Sequence, residues 1–471
     1  MNLHRAFAGL RKPVEACVIG TGGFGRSFLA QALRVPLMRA RVALDRQAES
    51  VAGVLAELGV PVDRIRICRT AAEAERAWAQ DAWIAADDLA VVLGLPIDVV
   101  VEATGHPEAG ARHALMAVEA DKHVALVSKE VDSVVGPILA HLASQRGRVV
   151  TPVDGDQPSL LIGLITWAQT LGFEIVAAGK SSEYDFVFDP DTGCLSSNGR
   201  SIEVPGFAAA LSLGSRDGAE LVAARSALAA RLPQRAVPDL CELQVVANAT
   251  GLVPDAPTLH APIARIPEVP SLLCLRGDGG LLGGTNRLDV FHCLRTPEEV
   301  SFAGGVFVVV RCDDAVTWQM LAEKGHVLGR HGTTAMICLP RHLLGLEAAT
   351  SVIGAALGHS TGGVDPRPHL DLIARTTEDL PAGTVLTAGG HHHTIAGVAG
   401  ELVGGAPLAG GSPVPFYLAA DRRLVRPVPA GCAITLDDLA IDPASTMLAL
   451  RRRQDRHFFG DAAPHAPRHG G

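Results

Sequence analysis

Val14-Glu15-Ala16-Cys17-Val18-Ile19-Gly20-Thr21-Gly22-Gly23-Phe24-Gly25 decides the fold of this chain. A short apolar run rich in β-branched residues runs straight into Gly-x-Gly-x-x-Gly, and a helical pattern follows at Arg26 to Leu37. Gly20 permits the tight turn, Gly22 lets a backbone approach a pyrophosphate, and Gly25 allows helix and strand to pack closely. The helix N-terminus then turns free N–H groups and the positive end of its dipole toward phosphates. Working outward, a second apolar run, Arg41-Val42-Ala43-Leu44, ends on Asp45, where an acid would take hydrogen bonds from the adenosine ribose. Arg46 follows at once and could instead hold a 2′-phosphate, so NAD and NADP both stay open. Asp45 could equally be a solvated turn residue.

Apolar strands and helical stretches alternate up to about residue 150. Ile97 to Glu102 is a buried strand ending in Ala103-Thr104-Gly105, and His123 to Val127 is another, followed by Ser128-Lys129-Glu130. Continuous apolar strands separated by helices indicate a parallel sheet covered on both faces. Ligands of such sheets lie beyond the carboxyl ends of the strands, which places Thr104, Gly105 and Lys129 on the working edge. The expected dinucleotide contacts are therefore Gly20, Thr21, Gly22, Gly23, Phe24, Gly25, Asp45, Arg46, Thr104, Gly105 and Lys129.

The expected architecture is α/β. It has a doubly wound Rossmann domain at 1–150, a central α/β catalytic and dimerisation domain at 151–375, a small β-rich module at 376–445 and a flexible tail at 446–471. The central domain offers a helix at Leu160 to Leu171, a strand at Phe173 to Ala178, a polar loop at Asp189 to Arg200 and a helix at Leu240 to Thr250. Short apolar pieces between Pro/Gly turns, such as Leu380-Pro381-Ala382-Gly383 and Val428-Pro429-Ala430-Gly431, mark the β module. Arg451-Arg452-Arg453 and the His, Pro and Gly beyond suggest a frayed end.

Composition narrows the function. The chain has 471 residues and is 48% apolar, enough for two or three packed domains. A net charge of −9 with no basic stripe argues against nucleic acid. No apolar run reaches membrane-spanning length and no secretory signal opens the chain, so a cytoplasmic protein is expected. Nine scattered cysteines without a C-x-x-C pair read as free thiols, and Cys17 as core.

The glycine motif, Val101-Glu102-Ala103-Thr104-Gly105 and Ser128-Lys129-Glu130 resemble the nucleotide-binding half of homoserine dehydrogenases. Gly155-Asp156-Gln157-Pro158, Ala247-Asn248-Ala249-Thr250-Gly251-Leu252, Gly304 to Val310 and His342-Leu343-Leu344-Gly345-Leu346-Glu347 narrow the likeness. With a C-terminal SAF module at about 378–442, they resemble homoserine-dehydrogenase-like oxidoreductases with an SAF domain, among them the deoxyxylulose-phosphate reductoisomerase-like family. The resemblance implies NAD(P)H-dependent chemistry at a carbonyl, with Lys129 near the nicotinamide and substrate. One departure stands out. Homoserine dehydrogenases carry a second, helix-borne lysine beside an Arg, whereas Pro238 to Asn248 has acids but neither Lys nor Arg.

Reducing a ketone leaves negative charge on oxygen, which requires a cation or acid donor. Lys129 and Lys180 each close an apolar run at a predicted strand end; a lysine there could also simply reach solvent. Asp154, Asp156, Glu183, Asp239 and Glu242 form a pool of acids that could orient hydroxyls or hold Mg²⁺ or Mn²⁺, as a reductoisomerase would require. Asp239 could instead cap a helix, and Asp154 order a turn. Ser128 could contact the nicotinamide ribose or serve as a turn residue. In Gly389-Gly390-His391-His392-His393-Thr394, His391 and His393 would face one way on a strand, though a polar turn is the simpler reading. His342 and Glu347 do not share a helix face squarely enough to ligate together.

The sequence thus leads to an NAD(P)-dependent oxidoreductase acting on a small polyol phosphate or hydroxyketone. Lys129, Lys180, Glu183, Asp156, Asp239 and Glu242 are the catalytic candidates, in a homo-oligomer that binds a small molecule and neither nucleic acid nor membrane. Alternatives are a homoserine-dehydrogenase-type reaction on an amino-acid semialdehyde, or a non-catalytic nucleotide- or sugar-binding regulator.

Overall fold

The computed structural model describes residues 2–363, 365–389 and 394–460. The chain divides into two compact units. One comprises 1–159, 343–399 and 404–471, the other 160–342 and 400–403.

The main sheet of the first unit has seven strands, β1 (Val14–Ile19), β2 (Met38–Leu44), β3 (Ile65–Ile67), β4 (Trp83–Ala86), β5 (Val99–Glu102), β6 (His123–Leu126) and β7 (Val150–Pro152). They lie in the order β3-β4-β2-β1-β5-β6-β7, every neighbouring pair parallel. This is the doubly wound sheet expected, with the strand order reversing at β1. Helices α1 (Leu3–Ala6), α2 (Gly23–Ala32), α3 (Ala48–Glu57), α4 (Ala71–Ala79), α5 (Pro107–Glu119) and α6 (Lys129–Ser144) belong to the same unit. α7 (Gln157–Thr170) then carries the chain into the second.

The boundary expected at residue 150 is too early, and that at 375 too late. Residues 343–375 return to the first unit, where Val352, Ile353 and Ala355 of α12 (Ala349–Ala356) join one apolar cluster with Val14 and Val18 of β1. A parallel sheet needs cover on both faces. Here part of that cover comes from a helix two hundred residues downstream.

The second unit is built on a mixed sheet. β8 (Ile175–Ser181), β9 (Phe186–Asp189), β10 (Cys194–Ser197), β11 (Arg200–Glu203), β12 (Val253–Pro254), β13 (Ile263–Ala264), β14 (Arg287–Arg295), β15 (Val306–Arg311), β16 (Val327–Leu328) and β17 (Thr334–Leu339) compose it. The main path runs β11-β10-β9-β14-β8-β15-β17-β16, with β12 and β13 also paired to β14. α8 (Gly218–Leu228), α9 (Val237–Thr250), α10 (Val269–Leu272) and α11 (Ala315–Glu323) accompany it. The loop expected at 189–200 contains β10 instead. Asn198 and Gly199, at φ +48° and +69°, make the two-residue turn to β11 that an Asn-Gly pair favours.

In the C-terminal part of the first unit, short extended pieces meet at single bridges such as Leu380–Val428 and Pro413–Thr435. α13 (Phe416–Ala419) and α14 (Thr446–Phe459) complete it. The tail expected to fray from 446 is a helix as far as Phe459, with Met447, Leu448, Leu450, Arg451, Gln454 and Asp455 buried. Arg451 is enclosed because its guanidinium meets Asp371 at 2.5 and 2.7 Å and Asp455 at 2.8 Å. The carboxylate that makes its burial tolerable is eighty residues upstream, out of reach of local reading. Among the described residues no helix is long and apolar enough to cross a membrane. All nine cysteines are free, and Cys17 is core, its thiol pKa pushed up by burial.

Candidate functional site

The glycine loop has the geometry its sequence called for. Gly20 has φ +95°, and a Cβ there would stand 2.5 Å from the carbonyl oxygen of Ala103. A Cβ on Gly25 would lie 1.8 Å from the Gly20 oxygen, so α2 can pack on this loop only without a side chain. Gly22, by contrast, has nothing within 4 Å of where a Cβ would be. It caps α2 with no side chain of its own, so the first-turn N–H groups have no capping side chain from this residue. The two tight glycines answer to the protein, and Gly22 meets no such contact.

Asp45 follows β2 and is tied into this loop. Its Oδ2 accepts from both the Thr21 amide (2.8 Å) and the Thr21 hydroxyl (2.7 Å), while Oδ1 accepts from the Arg46 amide (2.8 Å). Burial pushes its pKa up, but these hydrogen bonds and the Arg46 charge outweigh it and hold the carboxyl below its usual value. Gly20, Gly22, Asp45, Arg46 and Thr104 line one cavity of about 470 Å³ at the carboxyl edge of the sheet. The lining thus sets an acid, Asp45, near the helix-terminal amides at the start of α2.

Around the ends of β5 and β6 the side chains hold one another. Thr104 donates from its hydroxyl (2.6 Å) and amide (3.3 Å) to the fully buried Glu102. The Gly105 amide donates to the Ser128 hydroxyl at 2.9 Å, which gives Ser128 the turn role. Lys129 is half-buried as the first residue of α6. The next residue is one the sequence reading passed over. Glu130 is buried, and burial first, then the charges of Asp156 and Glu102 against that of Lys129, pushes its pKa up to about 7. Asp156 thus lies in the electrostatic neighbourhood of Lys129 and Glu130. Asp154 accepts from Ser159 and Thr350, each at 2.6 Å, and is an anchor for the return of the chain.

In the second unit, Lys180 of β8 is 1% exposed and lies between two carboxylates of α9. Its Nζ is 2.9 Å from Asp239 Oδ1 and also pairs with Glu242. Ser182, likewise unremarked in the sequence, donates to Asp239 Oδ2 at 2.6 Å. Asp239 therefore receives an ammonium and a hydroxyl rather than acting as a helix cap. Glu183 is half-buried, and the contacts on Asp239 run through Ser182. His292 of β14 is buried on the same side of the sheet, its pKa lowered mainly by that burial. The signal for this cluster was the Asp239-x-x-Glu242 spacing on a helix; what the sequence could not show was the strand that fills it.

The Mg²⁺ or Mn²⁺ that the sequence left possible finds no support in these acids. Among the described residues no group of three or more His, Cys, Asp or Glu is placed to hold a metal ion, and Asp154, Asp239 and Glu242 are engaged by the protein's own donors. Glu347 accepts from the Leu343 amide at 2.7 Å and shapes its turn. Gly390, His391, His392 and His393 lie outside the described residues.

Residues 238–348 match the family described as oxidoreductase DRL, catalytic domain. That span contains Asp239, Glu242 and His292. No curated protein matches the chain. Among solved structures, a probable dehydrogenase from Thermotoga maritima is 12% identical, covering 38% of this chain and 47% of that one, with a TM-score of 0.28. Biliverdin reductase from Synechocystis, in complex with biliverdin and NADP⁺, is 18% identical over 38% and 49%, with a TM-score of 0.24. Levoglucosan dehydrogenase, in complex with NADH and L-sorbose, is 17% identical over 38% and 44%, with a TM-score of 0.25. The matched part thus spans about half the length of these structures.

Proposed function

We propose that this chain is an NAD(P)-dependent oxidoreductase that reduces a carbonyl of a small polyol phosphate or hydroxyketone. The observation that carries the reading is the contrast within the glycine loop. Gly20 and Gly25 are closed against the protein, and Gly22 opens onto a cavity with Asp45 and Arg46 in its wall. The match of residues 238–348 to an oxidoreductase catalytic domain supports the reaction class.

The reduced nicotinamide supplies hydride when bound. The chain's own residues do the rest. First-turn amides of α2 would hold the pyrophosphate, and Thr21 fixes the Asp45 carboxylate that would meet the ribose. Lys180, held between two carboxylates, is the cationic candidate of the second unit. Ser182 fixes the orientation of Asp239. Glu130, titrating near neutrality beside Lys129, is suited to exchanging a proton in the first unit. α9 lacks the helix-borne lysine of the homoserine dehydrogenases, and Lys180 brings an ammonium to its acids from a strand, which favours a different substrate.

The test is titration with NADH and NADPH, then oxidation of the bound cofactor with deoxyxylulose phosphate, other hydroxyketones and semialdehydes, with and without Mn²⁺. Turnover with a hydroxyketone is expected. Turnover confined to a semialdehyde would overturn the substrate class, and absence of dinucleotide binding would overturn the reading altogether.

A further inference from the structure

One loop of the first unit is held in a conformation its sequence resists. Leu344 has φ +53°, a left-handed backbone that a bulky L-residue rarely adopts. Two glycines fix it there. A Cβ on Gly155 would stand 1.9 Å from the Leu344 carbonyl oxygen, and one on Gly345 would stand 2.5 Å from the Phe24 oxygen and 2.4 Å from the Phe28 nitrogen. The Gly345 amide also donates to the Ser27 hydroxyl at 3.1 Å. The loop is therefore pinned both to the first turns of α2 and to the turn that follows β7.

The side chains it presents gain little from folding. Leu343 is 56% exposed, Leu344 48% and Leu346 43%. Backbone strain is kept where the surroundings enforce it, and it concentrates at ligand clamps. Here the enforced residue shows solvent an apolar side chain.

Position identifies what would cover it. With the adenosine at Asp45 beyond β2 and the pyrophosphate at α2, the order β2-β1-β5-β6-β7 leaves one direction for the rest of the molecule. Strands are about 4.8 Å apart, so a dinucleotide of roughly 15–20 Å carries its far ring toward β5, β6 and β7. That is the side on which the Gly155 turn and Leu344 lie. The ring arriving there is flat, uncharged when reduced, and has no hydrogen-bonding atom on either face.

We propose that Leu344, flanked by Leu343, is the apolar surface on which the nicotinamide ring of a bound dinucleotide rests, leaving the opposite ring face to the substrate. The proposal rests on the dinucleotide-binding reading above.

The test compares NADH and NADPH with ADP-ribose, which lacks the nicotinamide, by calorimetry on the full chain and its Leu344→Gly and Leu344→Ala variants. Glycine accepts φ +53° without strain, and the lost side chain is half exposed, so the melting temperature of L344G should hold or rise. Affinity for the reduced dinucleotide should fall roughly tenfold in both variants, as expected for uncovering part of one leucine, with ADP-ribose unchanged. The fluorescence enhancement of the bound reduced nicotinamide should fall with it. Unchanged NADH and NADPH affinity in L344G, or equal loss of ADP-ribose, would overturn the contact while leaving dinucleotide binding intact. If the unaltered chain binds neither ADP-ribose nor dinucleotide, the functional reading falls and takes this contact with it.

Discussion

Gln454 of α14 hydrogen-bonds to the backbone of α6 just beyond Pro137. A proline inside a helix has no N–H to give and its ring pushes the preceding turn open. One side chain of α14 binds both the Ile138 amide and the Val134 carbonyl, the groups of the next rung of α6. Ile138 N donates to Gln454 Oε1 at 3.3 Å, and Gln454 Nε2 donates to the Val134 oxygen at 3.1 Å. Gln454 is 1% exposed. A second fastening lies at the other end of α14, where Glu108 of α5 accepts from the Ser445 hydroxyl and the Thr446 amide, each at 2.6 Å.

Gln454→Ala should therefore cost far more than the loss of a terminal side chain. It strands one amide and one carbonyl inside the protein, at about 1–3 kcal/mol each. A fall in unfolding free energy of about 2–4 kcal/mol by urea denaturation is expected. A change below about 0.5 kcal/mol, ordinary for a surface substitution, would mean that α14 does not engage α6 in this way.

The glycine loop separates folding from binding. Gly25→Ala forces a methyl group into the Gly20 carbonyl, so the first unit should be destabilised together with any loss of dinucleotide affinity. Gly22→Ala meets nothing in the protein and should melt within a few degrees of the parent, yet lose most of its affinity for NADH and NADPH. Full retention of dinucleotide binding by G22A would count directly against a pyrophosphate at this loop.

Glu130 gives the first unit a pH signature. Its folded pKa of about 7 lies above the ordinary carboxyl value of 4.5, so between these values the folded state holds the proton more tightly than the unfolded chain. The sign follows: stability falls as pH rises from about 4.5 to 7, and the cost is fully present above that window. At most it is on the order of 3 kcal/mol. Glu130→Gln removes the ionisable group, so its stability should be flatter across this range and its advantage over the parent should grow toward pH 8. Parallel stability curves for the two proteins would show that Glu130 is not buried as described.

Lys180→Met should be severe. It leaves Asp239 and Glu242 buried without their ammonium, a change of about 3–5 kcal/mol for a broken buried pair. Adding Asp239→Asn and Glu242→Gln to the same chain should recover a large part of the stability without restoring turnover. Recovery of turnover in that triple variant would remove Lys180 from the chemistry.

The order of elements in the first 150 residues was legible because its signals are local. Gly20, Gly22 and Gly25 follow a strand and open a helix, Asp45 ends the next strand, and apolar runs with no alternation mean burial on both faces. Lys180, Asp239 and Glu242 were legible as residue types, but not as a cluster, since a strand and a helix sixty residues apart must first be packed together. Ser182 and Glu130 were missed because burial, not their identity, gives them their roles.

The sequence by itself determined the doubly wound sheet, the glycine loop and the acid at its edge, because turn geometry, close approach and strand periodicity are set within a few residues. Tertiary structure alone decided that α12 returns to cover that sheet, that α14 is buried rather than frayed, and that Arg451 faces Asp371 instead of water. Each of these depends on a partner eighty or more residues away, and a buried charge or an open helix rung is tolerable only once that partner has arrived.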